Sequence, residues 1–139
     1  KQNKDKSIKL LEDLGYYLFF DPKDSSDPFW INSTIDYFTG LALYLFENAS
    51  HDEIHLSSIC SLSNQLLDEK TRENFISNLD KNSNIYLNLV GTLNAPMETR
   101  GSIISVFNQN TNHIQLNYDM IPFSITNSYS SFIFVKKLS

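Results

Sequence analysis

A single cysteine, four glycines and four prolines in 139 residues set the first limits on this chain. Cys60 has no partner for an internal disulfide, which suits a reducing compartment, and its neighbour Ile59 favours a buried, inert thiol over a reactive one. So few turn formers argue against an all-β fold, which needs turn residues about every eight to twelve positions. Helices are expected instead. The four glycines, Gly15, Gly40, Gly91 and Gly101, cannot compose a G-x-x-x-x-G-K-[ST] phosphate-cradling loop, and no G-x-S-x-G nucleophile turn occurs. ATP hydrolysis is therefore not encoded in these residues. The longest apolar stretch of the hydrophobic run at 28–49, Leu41 to Phe46, is flanked by Asp36 and Glu47 and falls far short of the roughly twenty residues a bilayer span needs. Cations are also scarce: 11 Lys and Arg against 16 Asp and Glu give a net charge of −5. That balance disfavours a sequence-independent grip on nucleic acid, which works by displacing phosphate counterions, and leaves open only a local basic face. The start, KQNKDKSIKL, lacks the apolar core of a signal peptide. It also lacks a methionine, so an excised part of a longer protein is expected.

What is present describes a folded domain with one core: 41% hydrophobic and 19% charged residues, both signs scattered along the chain. The segment DPKDSSDP at 21–28 is turn chemistry throughout and separates two helical patterns. Before it, Ile8, Leu11, Leu14 and Leu18 share one helical face, interrupted only by Gly15, which lowers helix propensity without forbidding the helix. After it, Asp27 can accept hydrogen bonds from free first-turn amides, and Pro28 suits the first helical position, where no amide is needed. Ile31, Ile35, Phe38, Ala42 and Leu45 then form a stripe that Phe29, Leu41 and Tyr44 widen, which makes this 28–48 helix central to the bundle. Phe29 and Trp30 in its first turn either seal the core or project towards a partner, and the usual burial of large aromatics favours the core.

A short helix is expected over 54–67 from Ile54, Ile59, Leu62 and Leu66. The pattern Phe75, Leu79, Tyr86 and Leu89/Val90 predicts either one long helix or two, with Gly91 as a stop. A last helix starts at Asn94 and Pro96, with Met97, Ile103, Ile104 and Phe107 facing inward and Gly101 allowing close packing or a kink. Beyond about residue 116 the helical period fades, and SSFIFVKK has the β-branched and aromatic content of a short strand.

Catalytic and metal constellations are not apparent. His51-Asp52-Glu53-Ile54-His55 places its glutamate wrongly for a zinc-bound H-E-x-x-H site, so a surface loop and helix start is the better reading. His113 has no comparable partner. Asp21 closes the run YYLFFD, which superficially resembles a strand ending in a magnesium-binding aspartate, but without a phosphate loop it reads as a turn residue. Dispersed carboxylates in loops and first turns are explained by helix capping.

The run DPFWINSTIDYFTGLALYLFENA, followed by DEKTRENF and then METRGSIISVF, resembles the all-α domain of type IV secretion and conjugation coupling proteins, the TraG/TraD class of hexameric DNA-pumping ATPases. The resemblance covers about residues 10–123. Its most specific part is the ordered pair of D-P-F-W, opening a long apolar helix, and Glu98, Thr99, Arg100, Ser102 and Ile103 downstream. The resemblance implies an all-α, compact multi-helix bundle around a central apolar helix, residues 1–123 being a substrate-receiving domain. Residues 124–139 would then be a strand-like return towards the parent nucleotide-binding domain. It implies a cytoplasmic domain of a membrane-anchored, hexameric parent ATPase. The domain itself would be monomeric, without cofactor or catalysis, and would receive relaxase, other relaxosome proteins and single- or double-stranded DNA.

Lys70, Arg72, Lys81 and Arg100 are the candidate contacts to DNA or a relaxosome protein, and Phe29 and Trp30 the candidate docking residues. The alternative is a protein-only helical adaptor whose acidic surface binds basic segments of relaxase or accessory proteins; a helical interaction domain unrelated to conjugation is the third reading. The Asn-rich composition hints at an AT-rich, Gram-positive genome.

Overall fold

Nearly two turns of one helix, Tyr37 to Leu43, are buried on every side, and the rest of the fold is arranged around them. The structure is a computed structural model and describes residues 2–50 and 54–119. The expected strand within 124–139 and the domain boundary at 123 lie outside the described residues. Among those residues the order is α1 (Gln2–Phe19), α2 (Pro28–Asn48), α3 (Leu56–Gln65), α4 (Glu69–Ser77), α5 (Asn84–Leu93) and α6 (Met97–Asp119), with no strand. This is the expected all-α bundle.

α2 starts where the sequence predicts. Asp27 accepts a hydrogen bond from the Phe29 amide at 2.9 Å, and Pro28 takes the first helical position. α1 and α5 pack along it most extensively, and α6 and α3 close the remaining sides. α1 contributes Leu11, Leu14 and Phe19 to the core, with Ile8 and Leu18 partly buried against it. Gly15 has a packing role: a methyl group there would stand 3.1 Å from Ile35 Cγ2 and 3.3 Å from Phe38 Cδ1, so its bare backbone lets α1 lie close on α2. From the other side α5 brings Ile85, Leu89 and Leu93, and α6 inserts Ile103, Ile104 and Phe107.

Polar groups inside are largely paired. The Tyr37 hydroxyl and Ser63 Oγ share a 2.7 Å hydrogen bond between α2 and α3, and the Thr111 hydroxyl donates to the Phe107 carbonyl at 2.8 Å. Burial pushes Tyr37 up to about 12, the Ser63 bond partly opposing it, and burial also raises the Cys60 thiol, which is buried as expected. The folded chain thus keeps the Tyr37 proton to about 12, whereas the unfolded chain releases it near 10. This contribution to stability is complete below the lower value and lost as pH rises between them. At about 1.4 kcal/mol per pKa unit, the loss amounts to about 3 kcal/mol. Urea denaturation across that alkaline range should show a falling midpoint, and Tyr37→Phe should flatten the slope.

Of the two alternatives for the 69–93 region, two helices are found, because Asp80 turns the chain through its bond to the Asn82 amide and Ser83 caps α5 by accepting from the Tyr86 amide at 3.1 Å. Three local expectations are corrected. Gly91 does not stop a helix: α5 continues to Leu93. Gly101 does not serve close packing, since a methyl group at either Gly91 or Gly101 would meet nothing within 4 Å. Met97 is 80% exposed, since it occupies the first position of α6, where no neighbouring helix covers it. The open surroundings carry a prediction: Gly91→Ala should stabilise the protein by about 0.5–1 kcal/mol, through lower chain entropy in the unfolded state and better helix propensity. A raised melting temperature would check it.

Candidate functional site

Four large aromatics lie outside the core, near the end of the α1–α2 hairpin. Tyr17 is 71% exposed, Tyr16 52%, Phe29 48% and Phe20 44%. The Tyr16 and Phe20 rings stack at 4.6 Å where α1 ends, and Phe29 meets the partly buried Trp30 edge to face at 5.1 Å. The expectation that Phe29 widens the buried stripe is corrected: in the first turn of α2 it lies beyond the reach of the helices that cover Tyr37 to Leu43. Exposed apolar area of this kind is characteristic of interaction surfaces. The other three, Tyr16, Tyr17 and Phe20, are not among the sequence-predicted candidates; the signal that marks them is their place off the stripe made by Ile8, Leu11, Leu14 and Leu18.

Carboxylates border this surface. The turn between the helices holds Asp21, Asp24 and Asp27, each accepting a backbone amide two residues on, from Lys23, Ser26 and Phe29. The Ser26 amide and hydroxyl hold the Asp24 carboxyl below its usual range. Further along the hairpin Asp36 keeps contact with solvent, yet the protein packed around it and then the Glu12 carboxylate raise its pKa. Glu12 of α1 therefore faces Asp36 of the antiparallel α2.

The four basic candidates do not converge. Arg72 is only 8% exposed, and its guanidinium is directed at the Leu66 carbonyl at 3.5 Å, where it satisfies the C-terminal end of α3. Arg100 donates to the Ala95 carbonyl at 2.9 Å and closes the α5–α6 turn. Lys70 in the first turn of α4 and Lys81 in the turn that follows α4 are exposed. Lys81 lies in the turn before α5, and Arg100 lies in the first turn of α6. Two of the four side chains thus serve helix ends and two reach solvent separately.

A second concave region lies where α4 leans on the C-terminal half of α2. Tyr44 and Phe75 meet edge to face at 4.8 Å and divide it into two grooves. One, of about 530 Å³, is lined by Glu47, Asn48, Asn74, Asn78 and Asp80; the other, of about 660 Å³, by His55, Ser57, Ser58, Ser61 and Gln65. His55 is held as the N-cap of α3, its Nδ1 accepting from the Ser58 amide at 3.3 Å and lying 2.6 Å from Ser57 Oγ. This matches the helix-start reading; its partner in that reading, His51, lies outside the described residues. Among the described residues no group of three His, Cys, Asp or Glu side chains is placed to hold a metal ion.

Comparison with protein-family models, curated proteins and solved structures finds no match. The motif residues that carry the coupling-protein resemblance have architectural work here. Asp27 and Pro28 start α2, Arg100 closes a turn, Ser102 donates to the Glu98 carbonyl at 3.1 Å and Ile103 is core. No helix among the described residues is long and apolar enough to cross a membrane.

Proposed function

We propose that this chain is a substrate-receiving helical domain of a conjugative coupling protein and that it receives protein, not DNA. The coupling-protein part rests on the ordered D-P-F-W and E-T-R-x-S-I segments, together with the all-helical bundle built around the helix that the first of them opens. In that setting the domain belongs on the cytoplasmic side of a membrane-anchored ATPase, with relaxase or accessory proteins as its cargo. The preference for protein rests on one observation: four aromatic side chains are exposed at the α1–α2 end, in residues 16–20 and at 29, whereas two of the four basic candidates are spent on helix-end carbonyls. A phosphate-binding face needs several cations to act together, and the net charge of −5 opposes it further.

Fluorescence anisotropy of labelled single-stranded and duplex DNA with the 139-residue chain tests this choice. The expected result is no saturable binding even at low salt. Binding that weakens steeply as salt is added would mark phosphate contacts and overturn the protein-only reading.

A further inference from the structure

Three of the exposed aromatics, Tyr16, Phe20 and Phe29, share one face of the hairpin with the carboxylates of Glu12 and Asp36. Glu12 and Tyr16 on α1 and Phe20 just after its end follow one another at four-residue spacing, and the Phe20 amide still donates to the Tyr16 carbonyl at 2.9 Å, so the three line a single side. On α2, Phe29, Asn32 and Asp36 do the same at spacings of three and four, and all three are exposed. The two rows are antiparallel neighbours: Glu12 acts electrostatically on Asp36 at one end, and the short turn at 20–27 joins the helices at the other. The result is a strip with two carboxylates at one end and three exposed rings at the other. From Glu12 to Phe20 it runs about 12 Å at 1.5 Å per residue.

We propose that this strip binds an arginine-bearing segment of a partner protein, guanidinium groups lying on the rings of Tyr16, Phe20 and Phe29 and pairing with Glu12 and Asp36. This rests on the protein-receiving reading above and names the chemistry of what is received. A flat, weakly hydrated guanidinium can stack on a ring and still donate to a carboxylate, whereas a lysine ammonium is a compact, strongly hydrated charge. Glu12 and Asp36 repel one another, and an incoming cation relieves both. The same carboxylates repel phosphate, which disfavours nucleic acid on this face. A second copy of the chain brings the same acidic strip and a net charge of −5, so self-pairing is also opposed. Two arginines four apart on a helix, or two apart on an extended segment, are separated by about 6–7 Å and fit within the strip.

Trp30 is the only tryptophan and touches Phe29, so its fluorescence reports on this face directly. The full chain is titrated with a synthetic peptide of alternating arginine and glycine and with the same peptide carrying citrulline, which keeps the planar shape and loses the charge. The expected result is saturable quenching by the arginine peptide and at least tenfold weaker binding of the citrulline peptide. Tyr16→Ala, Phe20→Ala and Asp36→Asn, all at exposed positions, should each weaken the arginine peptide at least several-fold while circular dichroism stays unchanged. Met97→Ala, exposed elsewhere, should bind as the unaltered chain does. Equal binding of both peptides would overturn the inference and leave the protein-receiving reading in place. Binding of neither would overturn the inference too, and the DNA titration judges the broader reading separately. Binding undiminished by all three variants would place the peptide on another surface and equally refute the proposal.

Discussion

Phe107→Ala is expected to lower the stability of the fold by about 3–5 kcal/mol, because the lost ring leaves a cavity as well as lost apolar burial. Phe107 is fully buried on α6, its ring stacked 5.9 Å from Phe19 of α1 and edge to face at 5.3 Å with Tyr37 of α2. Three helices therefore meet on one side chain, and none of them can close the gap without leaving its other neighbours. For a domain of this size the drop in melting temperature should be roughly 10–20 °C by calorimetry. Phe29→Ala gives the contrast: its ring is half in solvent, so a loss below about 1 kcal/mol is expected. Similar losses for the two changes would mean that the core does not lie where α1, α2 and α6 meet.

Gly40→Ala is the second large effect, and its sign runs against helix propensity. In the middle of a helix alanine is normally better than glycine by about 1 kcal/mol. At Gly40 the added methyl group would stand 2.5 Å from Leu89 Cγ and 2.6 Å from its Cδ2, with Asn88 Cβ at 3.2 Å. Leu89 is fully buried and Cγ is its branch point, so the contact cannot be relieved by turning only the tip of the side chain. α2 and α5 must separate, and a net loss of about 1–3 kcal/mol follows. Denaturation midpoints of Gly40→Ala and Gly91→Ala should therefore move in opposite directions. A stabilised Gly40→Ala protein would show that the α2–α5 seam is looser than described.

The parts of the fold that were legible in the sequence are those where one local signal and the wider pattern agree. Asp27 and Pro28 announced the start of α2, and the stripe from Ile31 to Leu45 announced its central place. Between Asn78 and Asn84 the two signals conflicted, since Leu79 and Tyr86 keep the helical period through a run of turn-forming side chains. The turn won because Asp80 and Ser83 both find backbone amides to hold. Gly91 and Gly101 looked like punctuation, but a glycine facing open space neither ends a helix nor draws a neighbour close, and a linear pattern does not reveal what it faces. Gly40, which received no such reading, is the glycine that admits the neighbouring α5.

The candidate site was legible only in part. Phe29 and Trp30 stood out as first-turn aromatics, while the stripe on α1 left Tyr16, Tyr17 and Phe20 on the outside without saying what lies beside them. Arg72 shows why charge alone misleads. Its long side chain can lie along the protein and donate to a helix end, and in this fold it does. That Glu12 and Asp36 face each other follows from the antiparallel hairpin, a relation between residues 24 apart that no short window contains.

The central claim is that the α1–α2 aromatic end, and not a basic face, receives the partner. Amide chemical-shift mapping of the isotope-labelled chain, titrated first with the arginine peptide and then with duplex DNA, tests it most directly. The predicted result is peptide-induced shifts concentrated at Glu12, Tyr16, Phe20, Phe29 and Asp36, with no saturable shifts from DNA. Shifts clustering around Lys70 and Lys81 with DNA, and an unperturbed α1–α2 end with the peptide, would contradict it.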